Sequence, residues 1–214
     1  MSERIETAAL RDFSVSLCRA AGLSADDAAL LTDSILFAEC RGVTSHGLLR
    51  LPQYIARLRS GATASNVPMP FTMESGGTAR LDAQNGLGQL AGRKASDKAE
   101  ELAAEYGVSF VAVANSNHFG TGAWYAIPAA RRGFFAFNIS SAASAMAPHG
   151  AAQPLLGTDP VGLARPRGEG KAPLALDMAL STVARGKIRY AALNGVPIHG
   201  LHRRYIRCVL WSVN

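Results

Sequence analysis

The chain has 214 residues, 48% of them hydrophobic and 18% charged, with a formal net charge of +6 and a pI near 9.6. This is the balance of a folded globular protein, long enough for one sizeable domain or two small ones, and no apolar run approaches the roughly 20 residues that cross a bilayer. The N-terminus, MSERIETAALRDF, carries charges where a secretory signal needs an apolar core, so the expectation is a cytoplasmic protein with no membrane partner.

The basic excess is local. Through Ala184 basic and acidic residues balance at 16 each; Arg185, Lys187, Arg189, Arg203, Arg204 and Arg207 follow with no acidic residue among them. Such a tail can hold phosphates without specificity, but it lacks aromatic interleaving and any nucleic-acid module, so nucleic acid is not an expected partner. The three cysteines, Cys18, Cys40 and Cys208, show no C-x-x-C spacing, which argues against a disulfide framework and a cysteine zinc site. Cys18 and Cys40 fall within helical patterns and are expected as small core residues.

Residues 1–61 read as helices. Leu10, Phe13 and Leu17 recur at helical spacing before Gly22. Ser24 with Asp27 forms a weak capping box for a second helix faced by Leu31, Ile35 and Ala38 and ending near Gly42. These apolar faces need a partner. A third pattern, Leu51, Tyr54, Ile55 and Leu58, closes at Gly61. If Ser45 caps that helix, His46 and Arg50 lie four apart on one face. A histidine able to donate a proton, one turn from a guanidinium able to grip a carboxylate, suits a 2-oxo acid. The alternative is a capped helix carrying two solvated polar residues.

Residues 62–70 read as a linker, 78–82 as a short strand, and about 89–106 as a helix. Gly86, Gly88 and Gly92 are spaced one residue too long for a Rossmann fingerprint, and no acidic residue follows about 20 positions on. Val108 to Val113 has the composition of a buried strand, and it breaks into Asn115-Ser116-Asn117-His118 before a helix beginning at Ala123. An α/β protein commonly places its chemistry in such a loop, although His118 could also simply brace a turn. Beyond it the pattern gives a helix over 123–130 interrupted by Pro128 and a strand over 134–139 with a small-residue exit, Ser140 to Ala145. Short strands over 161–164 and 174–176 flank a hairpin from Pro166 to Pro173, and a helix runs from Ser181 through Ala192.

Four blocks occur in order: RGVTSHGLLRLPQYI, ANSNHFGTGAWYA, LLGTDPVGLARP and LALDMALSTVARGKI. Together they resemble the malate/L-lactate dehydrogenase family of NAD(P)-dependent oxidoreductases, which is distinct from the Rossmann-fold lactate and malate dehydrogenases. The resemblance covers about Ile5 to Ile198 and is specific for the family rather than for a substrate. It implies NAD or NADP as cofactor, a small 2-oxo or 2-hydroxy acid as substrate, and a homodimer. It also implies an α/β fold in which a mixed-sheet domain of non-Rossmann type binds the cofactor beside a helical lobe. By the same resemblance, Ser45-His46-Gly47 supplies a proton donor at the substrate carbonyl and Arg50 holds the carboxylate. His118 lies at the nicotinamide end and is the acid/base in some members, so either His46 or His118 could carry that role. Leu176, Asp177 and Met178, and more weakly Ser141, would contribute to the dinucleotide site.

The tail departs from the family pattern. After Ile198 the chain reads HGLHRRYIRCVLWSVN, where the family continues with an acidic, glycine-containing segment and further helices. The expectation is an altered reading frame and a missing C-terminal lobe. The organisation predicted is a helical lobe over 1–61, a dinucleotide-binding α/β domain over 71–198 and an atypical basic tail over 199–214. An active 2-hydroxy acid oxidoreductase and a catalytically inactive truncated member both follow from this sequence. A metal site built from His46, His118 and His149 is disfavoured because no carboxylate or cysteine lies at ligand spacing.

Overall fold

Two helices open the computed structural model, which describes residues 5–148, 153–181, 191–195 and 211–212. Helix α1 spans Thr7–Ala20 and α2 spans Ala25–Glu39. Ser24 starts α2 as its pattern predicts: the side-chain oxygen accepts from the Asp27 amide at 3.2 Å, and Asp26 and Asp27 sit where the helix dipole favours negative charge. The chain divides into two compact units, Met1–Gly120 and Thr121–Asn214.

In the first unit the α2 face closes on its own neighbours. Leu31 and Ile35 are 0% and 1% exposed, in a cluster with Cys18, Leu23, Leu51, Tyr54, Leu58 and Leu87. Each such side chain contributes roughly 1.5–3 kcal/mol by leaving water. The expectation that both faces want a partner is therefore wrong for α2; on α1, Leu17 packs against the same cluster and Phe13 is left 61% exposed. Cys40 is a second correction. It is the C-cap of α2, beyond the last packed turn, and is exposed.

A third correction concerns residues 44–50. They form two separate 3-10 turns, Thr44–His46 and Leu48–Arg50, before helix α3, Leu51–Arg59. Ser45 therefore does not cap α3, and His46 and Arg50 do not share a helical face. Two local features explain this. Gly47 adopts an extended ψ of −144°, which breaks the helical path, and Pro52 occupies the first turn of α3, where a proline fits best.

The first sheet has the order β1-β2-β3, with β1 Phe71–Ser75, β2 Thr78–Asp82 and β3 Phe110–Ala114. The β1–β2 pair is an antiparallel hairpin, whose first strand the sequence pattern does not mark. The β2–β3 pair is parallel, in register from Thr78 opposite Phe110 to Asp82 opposite Ala114. Helix α4, Gly88–Tyr106, makes the crossover, and Gly107 ends it in the left-handed conformation at φ 82°. Leu81, Ala91 and Ala95 form a second core with Met69 and Ala83, against which Val111 packs. Strand β3 is an edge strand rather than the buried one its composition suggests. Phe110 is 65% exposed, because α4 covers one face of this three-stranded sheet and β3 pairs only on its β2 side.

In the second unit, helix α5, Ala123–Arg131, packs on β5 of a four-stranded antiparallel sheet. The order is β4-β5-β6-β7, with β4 Ala136–Ile139, β5 Val161–Arg165, β6 Leu174–Met178 and β7 Trp211–Ser212. The predicted hairpin over 166–173 is the β5–β6 connection. Gly122 and Gly162 approach so closely that a Cβ on either would strike the other's backbone, which seats the start of α5 on β5. Most of the helix predicted from Ser181 through Ala192, and most of the basic tail, lie outside the described residues. The architecture is mixed α/β, with one sheet mixed and one antiparallel, and not a Rossmann arrangement.

Candidate active site

The turn that leaves β3 is built from asparagines. Asn115 has φ 53°, a conformation Asn tolerates better than most residues, and its side chain donates to Asp82 Oδ1 at 2.9 Å. Asn117 is engaged at both ends of its carboxamide. Its Nδ2 donates to the Asn85 carbonyl at 2.9 Å and to that of Gly86 at 3.0 Å, while its Oδ1 accepts from Arg57 Nη2 of α3 at 2.9 Å. Gly88 completes the seat. A Cβ there would collide with the carbonyl oxygens of Asn117 and His118, so only glycine lets the N-terminus of α4 come this close. The glycine of a failed fingerprint thus has another use, which is to position His118.

His46 arrives from the other side, on the first 3-10 turn. Its Nδ1 lies 3.0 Å from Ser45 Oγ. Glu39 supports the same loop, accepting from the Leu48 amide at 2.8 Å under a Gly47 that has no room for a side chain. Arg50 donates from Nε to the Ser45 carbonyl at 2.8 Å and from Nη1 to Gln53 Oε1 at 3.1 Å, which fixes the plane of the guanidinium.

These segments meet. The imidazoles of His46 and His118 stack with centroids 5.4 Å apart and planes 24° from parallel. The Tyr54 hydroxyl lies 2.7 Å from His118 Nδ1. Of the residues the sequence singles out, Ser45, His46, Arg50 and His118 are gathered in the first unit. Tyr54, Glu39 and Asn117 are not marked as site residues. Tyr54 carries the one available signal, a phenol in an otherwise aliphatic core stripe, whose hydroxyl needs a partner.

Electrostatics set the protonation states. Burial, followed by the charge of Arg50, pushes His46 down to about 4. The same causes, with His46 added, lower His118. Burial pushes Tyr54 up to about 12. Near neutrality the site therefore holds two neutral imidazoles, a protonated phenol and one fixed positive charge. Such a set can hold an anion and exchange a proton with it.

In the second unit Leu176, Asp177 and Met178 lie side by side on β6, and Ser141 lies exposed in the segment leaving β4. Asp177 Oδ2 accepts from the Ala123 amide at 2.9 Å, and its carboxylate also serves the Gly122 amide, so it caps α5 from the neighbouring strand. Burial raises its pKa despite these bonds. Among the described residues no group of three or more His, Cys, Asp and Glu could hold a metal ion, and His149 lies outside them. No helix of the described residues is long and apolar enough to cross a membrane.

The profile of the malate/L-lactate dehydrogenase family matches residues 5–200. The chain belongs to that family. It is 38% identical over 198 residues to the (2R)-3-sulfolactate dehydrogenase (NADP(+)) of Chromohalobacter salexigens, covering 92% of this chain and 59% of the relative. It is 36% identical over 195 residues to a malate dehydrogenase of Pyrococcus abyssi, at 91% and 53% coverage. A dehydrogenase crystal structure from Sinorhizobium meliloti superposes with a TM-score of 0.85 at 36% identity, over 91% of this chain and 57% of that one. The relatives include an NADP(+)-dependent and an NAD(+)-dependent dehydrogenase. The chain spans about half the length of the curated relatives it matches. The family match ends at residue 200, close to where the basic tail begins.

Proposed function

We propose that the protein is an oxidoreductase that moves a hydride between NAD or NADP and a small 2-hydroxy or 2-oxo acid of the malate, lactate or sulfolactate kind. The observation that carries this reading is the stacking of His46 and His118 beside Arg50. Two proton-exchanging groups next to one fixed cation match a substrate whose reacting oxygen is adjacent to its carboxylate.

Arg50 would hold the carboxylate. Its Nε and Nη1 are braced by Ser45 and Gln53, and Nη2 has no partner among the described residues. His118 would exchange the proton of the reacting oxygen, because its Nδ1 is anchored by Tyr54 and the residue as a whole is exposed. His46 would line the carbonyl side, with its ring oriented by Ser45. The low proton affinity of both histidines suits alcohol oxidation, in which the base must begin neutral. Reduction needs the imidazolium, and a bound carboxylate favours that form.

The nicotinamide would supply or accept the hydride. For the dinucleotide, the second unit offers Ser141 to Ala145, an exposed run of small side chains that lets a flat ring approach the main chain. That run is held in shape by the Ala142 amide donating to Asp159 Oδ1 at 2.9 Å. Leu176, Asp177 and Met178 would contribute as well. Since the Asp177 carboxylate holds α5, its part there would be to position the start of that helix. We also propose that the protein acts as a homodimer, as the family resemblance implies; a monomer by sedimentation at micromolar concentration would refute this.

The decisive assay incubates the folded protein with NAD+ or NADP+ and malate, lactate or (2R)-3-sulfolactate and follows reduced nicotinamide. Turnover with one of these acids supports the reading. Folded protein without turnover on any of them favours the second reading, an inactive member of the family. The observation behind that alternative is the exposure of large apolar side chains in each unit, Phe110 in the first and Phe135, Phe137 and Ile139 in the second.

A further inference from the structure

Arg57 directs its charge at neutral oxygens. From α3 its Nε donates to Thr63 Oγ1 at 3.0 Å, and its Nη2 donates to the Ala62 carbonyl at 3.0 Å and to Asn117 Oδ1 at 2.9 Å. The first two bonds are local and close the turn that follows α3. The third joins residues 60 positions apart and ends on the neighbour of His118. Asn117 can take that bond only one way round. Its Nδ2 faces the carbonyl and side-chain oxygens of Asn85 and the carbonyl of Gly86, at 2.9, 3.0 and 3.0 Å, which leaves Oδ1 as the acceptor. An aspartate there would turn a negative oxygen toward those three, and a leucine would satisfy neither side.

We propose that Arg57 is a positioning residue for His118: through Asn117 it locks the loop leaving β3 to α3, so that the Tyr54 hydroxyl meets the ring. The inference rests on His118 being the acid/base. Tyr54 and Arg57 are three residues apart on α3 and so share a face of that helix. One of them reaches His118 Nδ1 at 2.7 Å and the other reaches Asn117, so consecutive loop residues are held by neighbouring residues of one helix. The bond to the ring alone sets its distance from α3 but lets the loop pivot about it. The second bond fixes the main chain to the same helix and removes that freedom. A reacting group must be held to within about 0.5 Å of its productive place, and a displacement of about 1 Å can cost 10²-fold in rate. Arginine suits the task because a planar guanidinium presents Nε and Nη2 along one edge, which a lysine ammonium cannot reproduce. Its charge also strengthens the bond to an uncharged carboxamide oxygen.

The test reads the ring itself, without substrate, from the ¹⁵N shifts of His118 in the 214-residue chain at neutral pH, with Tyr54→Phe giving the shift of an unbonded Nδ1. Arg57→Met, which keeps the apolar stem and removes the donors, is expected to move the Nδ1 shift at least half-way to that reference. Arg57→Lys, whose single ammonium cannot serve all three oxygens, should move it in the same direction and serves if the Met variant does not fold. Thr63→Val removes only a local bond and should leave the shift at its wild-type value. In an Asn117→Ala background Arg57→Met should add no further change, because the two residues act through one bond. In turnover, Arg57→Met should lower kcat by about tenfold with KM for the acid within about twofold, since Arg50 is untouched. An Nδ1 shift that ignores both Arg57 substitutions, or that Thr63→Val reproduces in full, overturns the proposal even in an active enzyme. So does a full further change in the Asn117→Ala background. The expected shift in a folded protein without turnover supports the clamp and counts against the dehydrogenase reading.

Discussion

The rings of His46 and His118 face each other in a near-parallel stack, yet each is held by a different partner, Ser45 for the first and Tyr54 for the second. Two neutral imidazoles can share a face in this way, whereas two imidazoliums would repel, so only one of the pair takes up a proton readily. We expect His118→Asn to lower kcat by about 10²–10⁴, the usual range for a positioned acid/base. His46→Asn should cost about tenfold, a difference of roughly 1.4 kcal/mol in the barrier. Steady-state kinetics on both variants would decide the assignment, and the reverse ranking would give the role to His46.

Arg50→Lys should raise KM for a 2-oxo acid by about tenfold while changing kcat little, because an ammonium cannot reproduce the planar fork nor keep the bonds to Ser45 and Gln53 together. An unchanged KM would mean that the carboxylate is held elsewhere.

The histidines also make stability depend on pH. His46 falls from 6.5 unfolded to about 4 folded, and His118 is shifted the same way. Between those values the unfolded chain binds more protons, so stability rises with pH. The contribution is intact above about 6.5, is lost as pH falls through the window, and levels off below the folded values. Denaturant midpoints measured from pH 7 to pH 4 should therefore drop more for the wild type than for a His46→Asn, His118→Asn double variant. Parallel curves for the two proteins would show that neither ring is depressed.

Much of this arrangement is legible in the residues themselves. Helical spacing places α4 within a residue and the start of α2 at its Ser24 cap, and the β3 turn with His118 stands out by composition. The misplaced features share one physical cause. Local pattern does not say what covers a face. Phe110 looks like a buried strand residue and lies on an open face. Leu31 looks unpartnered and is sealed in the cluster that holds Cys18, Leu23, Leu51, Tyr54, Leu58 and Leu87. Ser45 looks like a helix cap, but Gly47 and Pro52 start that helix later. Tyr54 fits the core stripe by spacing, and only the fold brings its hydroxyl to His118.

Open apolar surface predicts self-association. Phe13, Val108 and Phe110 in the first unit, and Phe135, Phe137 and Ile139 in the second, are all exposed. Each forgoes roughly 1.5–3 kcal/mol of burial, against a typical net stability of only about 5–15 kcal/mol. The isolated 214-residue chain is expected to bind a hydrophobic dye strongly and to form concentration-dependent oligomers or aggregates on sedimentation. A dye-silent protein of concentration-independent mass, with one sharp thermal transition, would contradict this.

The bond between Tyr54 and His118 joins residues 64 positions apart in the chain, and the parallel β2–β3 pair beside it forms only across a whole helix. Contacts of that span require loop closure before they give anything back, whereas α1 and α2 can form and pair locally. Order in time should therefore follow distance along the chain. Pulse-labelled hydrogen exchange during refolding should protect the amides of α2 before those of residues 115–118, and simultaneous protection would argue otherwise. On this account a newly made chain passes through a stage at which its helices exist and its reactive histidine does not yet have a neighbour. Chemistry would then be the last property the molecule acquires and, on mild denaturation, the first it loses.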